Sequence, residues 1–173
     1  MARIIPEDEM EIADIKAIVN SVIESMTTKA VDLKYVTTAE ELTVREILPK
    51  TDIGLTNEYW VTPTLTANAW ANYFADKQVA DRTIIGFYGA KNLSADPKAT
   101  AIRFSSGKGK TKIVDVIQIE KIYESDMSEG FFDEPIIYVA KSYMTVEVYS
   151  KAAVAEPLVL PSFVVEPMGE VTY

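Results

Sequence analysis

Residues 83–123 read TIIGFYGAKNLSADPKATAIRFSSGKGKTKIVDVIQIEKIY, and this stretch decides the fold class. Runs rich in isoleucine, valine, phenylalanine and tyrosine alternate here with short segments of glycine, proline, serine and aspartate, a pattern typical of strands joined by turns. Two further runs of the same kind, EPIIYVAK and YMTVEVYSK, follow in residues 134–151. Five strands in about 70 residues predict a mainly β fold, either a sandwich or a barrel.

The last of these runs predicts how deeply its strand is buried, and the C-terminal tail predicts one or two further strands. YMTVEVYS alternates between Met144, Val146 and Val148 on one face and Thr145, Glu147 and Tyr149 on the other, which predicts a half-buried strand. The tail, residues 156–173, contains three prolines between short apolar runs, Pro157, Pro161 and Pro167. We expect one or two more strands there, at sheet edges or at crossings between sheets.

The region before the strands is less regular. Between residues 35 and 66, Pro49, Gly54 and Pro63 divide the chain into short loops and strands, and Trp60 is expected to be a core or domain-edge aromatic. Residues 67–82, ANAWANYFADKQVADR, are rich in alanine but also alternate. The pattern permits a strand, and the alanine content favours a helix.

The N-terminal part predicts one amphipathic helix over residues 6–26, begun by Pro6 and by three early carboxylates that suit the positive end of the helix dipole. Its apolar stripe consists of Ile12, Ile15, Val19, Val22 and Met26. The stripe also fits two heptads, which is short for a coiled coil, so packing on the chain's own domain or on a neighbouring subunit is favoured over self-pairing. We therefore divide the chain into a helical arm, residues 1–34, and a β-sandwich domain, residues 35–173.

Composition excludes several classes of site. The chain has neither cysteine nor histidine, so disulfides, thiolate zinc sites, histidine metal sites and Ser-His-Asp triads are ruled out. The net charge of -9 opposes binding to the phosphates of nucleic acids. No apolar window is long enough for a membrane span, and the first residues, MARIIPEDEMEI, do not resemble a signal peptide. We expect no cofactor, no nucleic-acid partner and no membrane partner.

The segment FSSGKGKT, residues 104–111, resembles the end of a phosphate-binding loop. A Walker loop requires a glycine five positions before its final Gly-Lys-Thr and a helix after it. Phe104 stands at that position, and the following residues, KIVDVIQIEKIY, predict a strand. The segment is therefore expected to form a β-hairpin with a glycine-rich turn at residues 106–109.

Carboxylate pairs are the remaining candidates for catalysis, because a glycosidase needs only two suitably spaced acids. Asp115 and Glu120 are predicted on opposite faces of one strand, and Asp133 and Glu134 in the turn GFFDEP, while Glu147 belongs to the alternating strand described above. None of these acids forms a recognisable catalytic or calcium-binding motif. We expect no enzymatic activity and assign no catalytic or metal-binding residue.

Four phrases of the chain, RTIIGFYGAKNL, ATAIRFSSGKGKTKIVDVIQIEKIY, EGFFDEPIIYVAKSYMTVEVYSK and FVVEPMGEVTY, carry a resemblance that covers about residues 83–173. They are similar to auxiliary, or cement, capsid proteins of tailed bacteriophages and related prokaryotic viruses. The resemblance implies a jelly-roll-like β-sandwich that sits on the capsid surface as a homo-oligomer, often a trimer, and binds the major capsid protein. It also implies that an N-terminal extension reaches neighbouring subunits, and that assembly occurs in the host cytoplasm.

The expected function is thus structural, the stabilisation of a capsid by bridging its major subunits. A head-to-tail or tail component is the alternative in the same setting, and a carbohydrate-binding sandwich is the alternative of a different class. Candidate partner contacts are the helix residues Ile12, Ile15 and Val19, together with the aromatic residues Trp60, Phe131 and Phe132. The three aromatic residues are also the candidate surfaces for stacking on a sugar.

Overall fold

The structure is a computed structural model that describes residues 2–169, so the end of the predicted tail, residues 170–173, lies outside the described residues. These residues form ten strands: β1 Ile4–Pro6, β2 Leu42–Glu46, β3 Ala69–Gln78, β4 Ile84–Asn92, β5 Ala99–Ser106, β6 Lys112–Gln118, β7 Glu129–Tyr138, β8 Tyr143–Ser150, β9 Leu158–Val159 and β10 Ser162–Pro167. They also form two α-helices, α1 Ile12–Asp32 and α2 Pro49–Ile53.

The strands make two antiparallel sheets. The six-stranded sheet has the order β1-β7-β4-β10-β2, with β9 also paired to β4, and the four-stranded sheet has the order β3-β8-β5-β6. Successive strands from β2 to β8 largely alternate between the sheets, and β10 returns to lie between β4 and β2. This is the strand order of a jelly roll, to which β1 is added at the edge beside β7. The prediction of a mainly β, jelly-roll-like sandwich with an N-terminal helix is confirmed.

The core lies between the two sheets. Phe87 of β4, Phe104 of β5 and Phe132 of β7 are fully buried, and the rings of Phe87 and Phe104 meet across the sandwich at 5.4 Å. On β8, Met144, Val146 and Val148 point into the same core and are fully buried, as the alternating pattern predicts.

A second apolar cluster lies on the outer face of the six-stranded sheet, under α1. Val22, Met26 and Ala30 of the helix are buried against Tyr88 of β4 and Phe131 of β7. The predicted stripe therefore packs on the chain's own sheet. The residues predicted as a helical arm also include β1, which pairs with β7 through Ile4 and Phe132.

The helix bounds differ from the prediction. α1 begins at Ile12 because Pro6 belongs to β1 and because Glu11 and Asp14 form a capping box at the helix start. The helix continues past Met26 to Asp32 because Ala30 extends the buried stripe by another turn. Lys34 then adopts a positive φ of 62°, which ends the helical path.

Residues 67–82 were expected to favour a helix, and this prediction is wrong. Most of the segment is β3, which pairs with β8 from Ala69 to Gln78. Register shifts flank Phe74, and they allow the consecutive residues Tyr73 and Phe74 both to be buried. The bulged strand obscures the alternation in the sequence, and pairing with β8 outweighs the helix propensity of the alanines.

Three other local predictions need correction. GFFDEP is not a turn but part of β7, which is held by β1 on one side and β4 on the other. Glu120 does not lie on the strand of Asp115 but in a 3₁₀ turn, Glu120–Glu124. β8 is not half-buried, since Thr145 and Glu147 on its outer face are buried as well.

Candidate functional site

A cleft of about 230 Å³ opens at the outer side of the six-stranded sheet, and we call it the Trp60 cleft. Its walls come from distant parts of the chain that the sheet brings together. Its lining includes Glu46 at the end of β2, Trp60 in the loop after α2, Tyr88 and Lys91 on β4, and Glu129 at the start of β7.

Packing fixes the aromatic wall of the cleft. The Tyr88 ring stacks on Phe163 at 5.0 Å and lies parallel to Phe131 at 6.3 Å. Trp60 is half-buried and meets Tyr73 edge to face at 5.9 Å, which confirms the prediction of a core or domain-edge aromatic. Because each ring is held by another ring, the cleft has a rigid wall rather than mobile side chains.

Sheet register aligns three charged residues beside this wall. Lys91 and Glu129 are direct partners across β4 and β7, with Lys91 Nζ 3.8 Å from Glu129 Oε2. Pro6 pairs with Gly130, so Glu7, the next residue, lies beside Glu129. The Oε2 atom of Glu7 is buried and has no hydrogen-bond partner among residues 2–169.

The pKa values follow from this arrangement. Burial raises the pKa of the Glu129 carboxyl, Lys91 opposes the rise, and Glu7 adds to it. Burial, together with the nearby charges of Glu46 and Glu129, raises the pKa of Tyr88 to about 12. Two carboxylates, Glu129 and the exposed Glu46, and one ammonium group, Lys91, thus line the cleft, and Glu7 adds a negative charge beside Glu129.

The predicted partner contacts are partly brought together. Trp60 lines the cleft, and Phe131 packs against Tyr88. Ile15 and Val19 are half-buried and pack against the second apolar cluster, under α1. Phe132 points the opposite way, into the core. Phe131 and Phe132 were expected in a turn, but both are buried, because consecutive residues of a strand face opposite sides and both sides of β7 are covered here. Their contact with a partner stays a prediction.

Ile12 is the most exposed residue of the predicted set. It is the first residue of α1, and 74% of its surface is accessible. Its contact with a partner stays a prediction.

A charged cluster on the outer face of the four-stranded sheet was not recognised in the sequence. Glu147 of β8 accepts two hydrogen bonds from Arg103 of β5, at 3.0 and 2.8 Å, and Lys110 Nζ lies 3.3 Å away. Arg103 also lies 4.4 Å from the ring centroid of Trp70 on β3. The charges of Glu147, Arg103 and Lys110 pair with one another. The cluster therefore links β8, β5 and β3 and covers part of the outer face of the four-stranded sheet.

The glycine-rich segment forms the predicted hairpin. β5 and β6 pair antiparallel, and the turn between them places Gly107 and Gly109 at φ angles of 85° and 77°. A strand, not a helix, follows Thr111, so the arrangement that a Walker loop requires is missing from this segment.

β6 forms the edge of its sheet, and Ile113 and Val114 on it are 56% and 40% exposed. They follow Lys108, Lys110 and Lys112 directly along the chain. We call this surface the β6 edge.

Two of the candidate acids have structural roles. Asp115 Oδ2 accepts a hydrogen bond from the Ala2 amide at 2.7 Å, and Asp133 Oδ1 accepts one from the Arg3 amide at 2.7 Å. Asp115 lies on β6 and Asp133 on β7, so these two hydrogen bonds attach the N-terminal segment to both sheets. Within residues 2–169, no group of three or more acidic side chains is arranged to hold a metal ion.

None of the helices in residues 2–169 has the length and hydrophobicity needed to cross a membrane. Comparison with protein-family models, with curated proteins and with solved structures found no match to this chain.

Proposed function

We propose that the protein is a structural component of a virus particle that decorates the capsid and stabilises it by bridging major capsid subunits. The observation that carries the proposal is the jelly-roll order of the two sheets, an architecture used by viral capsid domains and by lectins. The viral setting follows from the resemblance of residues 83–173 to auxiliary capsid proteins. The capsid surface of the virion is the proposed location.

The β6 edge supports a role in protein assembly. Strand edges present unpaired backbone groups, and this one also exposes Ile113 and Val114 beside lysines. Exposed apolar side chains close to charged ones in this way are typical of protein interfaces. Contacts that form only in the assembled shell favour that state by mass action, and this is how a bridging protein stabilises a capsid.

The direct test is to quantify this protein against the most abundant coat protein in purified particles by mass spectrometry. A simple stoichiometric ratio is expected for a decorating protein. A few copies per particle would instead place it at the neck or tail, which is the alternative within the same proposal. Absence from intact particles would overturn the virion function.

A pair of variants tests the β6 edge. Replacing Ile113 and Val114 by serine should reduce occupancy on capsids, since the interface loses its apolar part while the core keeps its contacts. Leu93→Ser is the matched control, because Leu93 is 60% exposed and lies outside the β6 edge. Equal occupancy of both variants in a particle-binding assay would show that the β6 edge does not bind the capsid.

The proposal includes association between copies of the chain, with a trimer as the first expectation from the resemblance. Sedimentation equilibrium of the purified chain measures this directly. A monomer at all concentrations would mean that copies meet only on the capsid, or that they do not meet.

Carbohydrate binding is the second candidate function, and the Trp60 cleft favours it. Sugar sites combine an aromatic ring with carboxylates and hydroxyl groups, and Trp60, Glu129 and Tyr88 provide these groups here. A saturable response to a sugar in a calorimetric screen, abolished by Trp60→Ala, would establish this function. The same screen without any such response would remove it.

A further inference from the structure

Glu129 of the Trp60 cleft and Glu7 beside it differ from the other half-buried or buried carboxylates of residues 2–169. The other half-buried or buried acids accept hydrogen bonds of ordinary length: Asp52 from Arg45, Asp115 from Ala2, Glu147 from Arg103, Glu156 from Ala99 and Glu166 from Arg45. Among residues 2–169, neither the Glu129 nor the Glu7 carboxylate accepts such a bond. The carboxylate oxygens of Glu129 and Glu7 can therefore still accept hydrogen bonds of the kind that the other half-buried or buried acids already accept within the fold.

Lys91 does not provide a hydrogen bond to Glu129. Its Nζ is 3.8 Å from Glu129 Oε2, whereas a hydrogen-bonded ion pair has a separation of about 2.7–2.9 Å. Lys91 is the one cation among the lining residues, whereas Glu129 and the exposed Glu46 both line the cleft and Glu7 lies next to Glu129. The Glu129 side chain is 21% exposed, and a partly desolvated carboxylate without a close donor would be stabilised by a second cation.

The aromatic wall adds attraction for the same kind of group. Trp60 and Glu129 both line the cleft, and the face of an aromatic ring in the same cleft as a carboxylate suits a long side chain that ends in a positive charge. A water molecule occupies about 30 Å³, so a cleft of about 230 Å³ has room for the end of such a side chain.

We propose that the Trp60 cleft receives a basic side chain, lysine or arginine, from the protein on which this chain assembles. This inference rests on the proposed function, and it adds the chemistry of the partner: a protruding cation that pairs with Glu129 and lies against Trp60. Charge complementarity supports it, since the chain as a whole carries a net charge of -9.

The first experiment uses the isolated protein and a small probe. N-acetyl-lysine N-methylamide is titrated into the protein while the indole N–H signal of Trp60 is followed by NMR, with N-acetyl-norleucine N-methylamide as the uncharged probe. The lysine probe is expected to shift the signal and the norleucine probe is not. Glu129→Gln should weaken the lysine response roughly tenfold, the effect of losing one charged hydrogen bond.

Glu134→Gln is the matched control, because Glu134 lies on the same strand as Glu129 but is exposed. It should respond to the probe like the wild type. An equal response in wild type and Glu129→Gln, or an equal response to both probes, would overturn the inference. A response to glucose with none to the lysine probe would also overturn it and would favour carbohydrate binding.

The second experiment measures occupancy on particles. Glu129→Gln should lower occupancy relative to Glu134→Gln if the basic side chain belongs to the capsid. Loss of probe binding with unchanged occupancy would overturn the assignment to that partner. Absence of the wild type from particles would contradict the proposed function instead, and the NMR titration would still decide whether the cleft binds a cation.

Discussion

Glu147 shows how burial and pairing combine at the level of a single residue. Burial by itself would raise the pKa of its carboxyl, but hydrogen bonds from Arg103 and the nearby charge of Lys110 outweigh that effect and lower the pKa below its usual 4.5. Its side chain is only 5% exposed. The alternating pattern of β8 predicts an exposed acid here, because nothing local in the sequence indicates that Arg103, 44 positions away, will cover it.

Glu147→Gln is expected to lower the free energy of unfolding by about 2 kcal/mol at neutral pH, less than for a fully buried pair because Arg103 and Lys110 reach solvent. Since the folded pKa is lowered, the contribution of Glu147 is present above about pH 4.5 and is lost as the pH falls through the folded pKa. Urea unfolding of both proteins between pH 7 and pH 3 measures this. A difference that stays constant with pH would contradict the ion-pair explanation.

The Trp60 cleft is also a property of individual residues that the sequence shows only in part. Trp60 was recognisable as an aromatic at a domain edge, but the acids around it were not recognisable as a group. Glu46, Glu129 and Glu7 lie on three different strands or their ends, and only the pairing of β1, β7 and β4 places Glu7 next to Glu129 and Lys91.

At the level of elements, α1 was predictable and its surroundings were not. The three-and-four spacing of apolar residues identifies the helix and its buried face, which includes Val22 and Met26. The same spacing does not tell whether the face packs in the same chain or on another one. The structure places it on the six-stranded sheet, where Met26 lies close to Gly86 of β4.

Met26→Ala should therefore lower the free energy of unfolding by about 2–5 kcal/mol, because it leaves a cavity between α1 and the sheet. Ile12→Ala on the same helix is the matched control and should change stability by less than about 0.5 kcal/mol, since Ile12 is 74% exposed. Chemical denaturation of the two variants checks the prediction. Comparable losses would show that the exposed start of the helix also packs against the protein.

The strand β3 illustrates the limit of element prediction. Its sequence has the alanine content of a helix, and register shifts disturb its alternation. Pairing with β8 makes it a strand, and a pairing partner about 70 residues away is not visible in a local window. β7 was misjudged for the same reason, because glycine and proline signal a turn locally but are accepted in a strand whose neighbours are fixed.

At the level of the whole molecule, the N-terminal residues join both layers. β1 adds to the six-stranded sheet, α1 covers its outer face, and the amide of Ala2 is bonded to Asp115 of the other sheet. Tyr88, Phe131 and Val165 would be exposed without this segment. A contiguous apolar surface of that kind promotes aggregation.

A variant that begins at Tyr35 is therefore expected to lose cooperative unfolding and to bind a hydrophobic dye such as ANS, unlike the full chain measured beside it. Thermal unfolding followed by circular dichroism, together with dye fluorescence, provides the measurement. A truncated protein that unfolds cooperatively and binds no dye would mean that residues 35–173 fold as an independent domain.

The sequence by itself determined the fold class, the main helix and the hairpin at residues 104–112, because hydrophobic period, β-branched content and glycine turns act over a few neighbouring residues. Tertiary structure alone decided the identity of β3, the burial of Phe131 and Phe132 on opposite faces, and the pairing of Glu147 with Arg103. It also decided the grouping of carboxylates at the Trp60 cleft. Each of these depends on strand register, which is set by contacts between residues far apart in the chain and is not encoded in any local pattern.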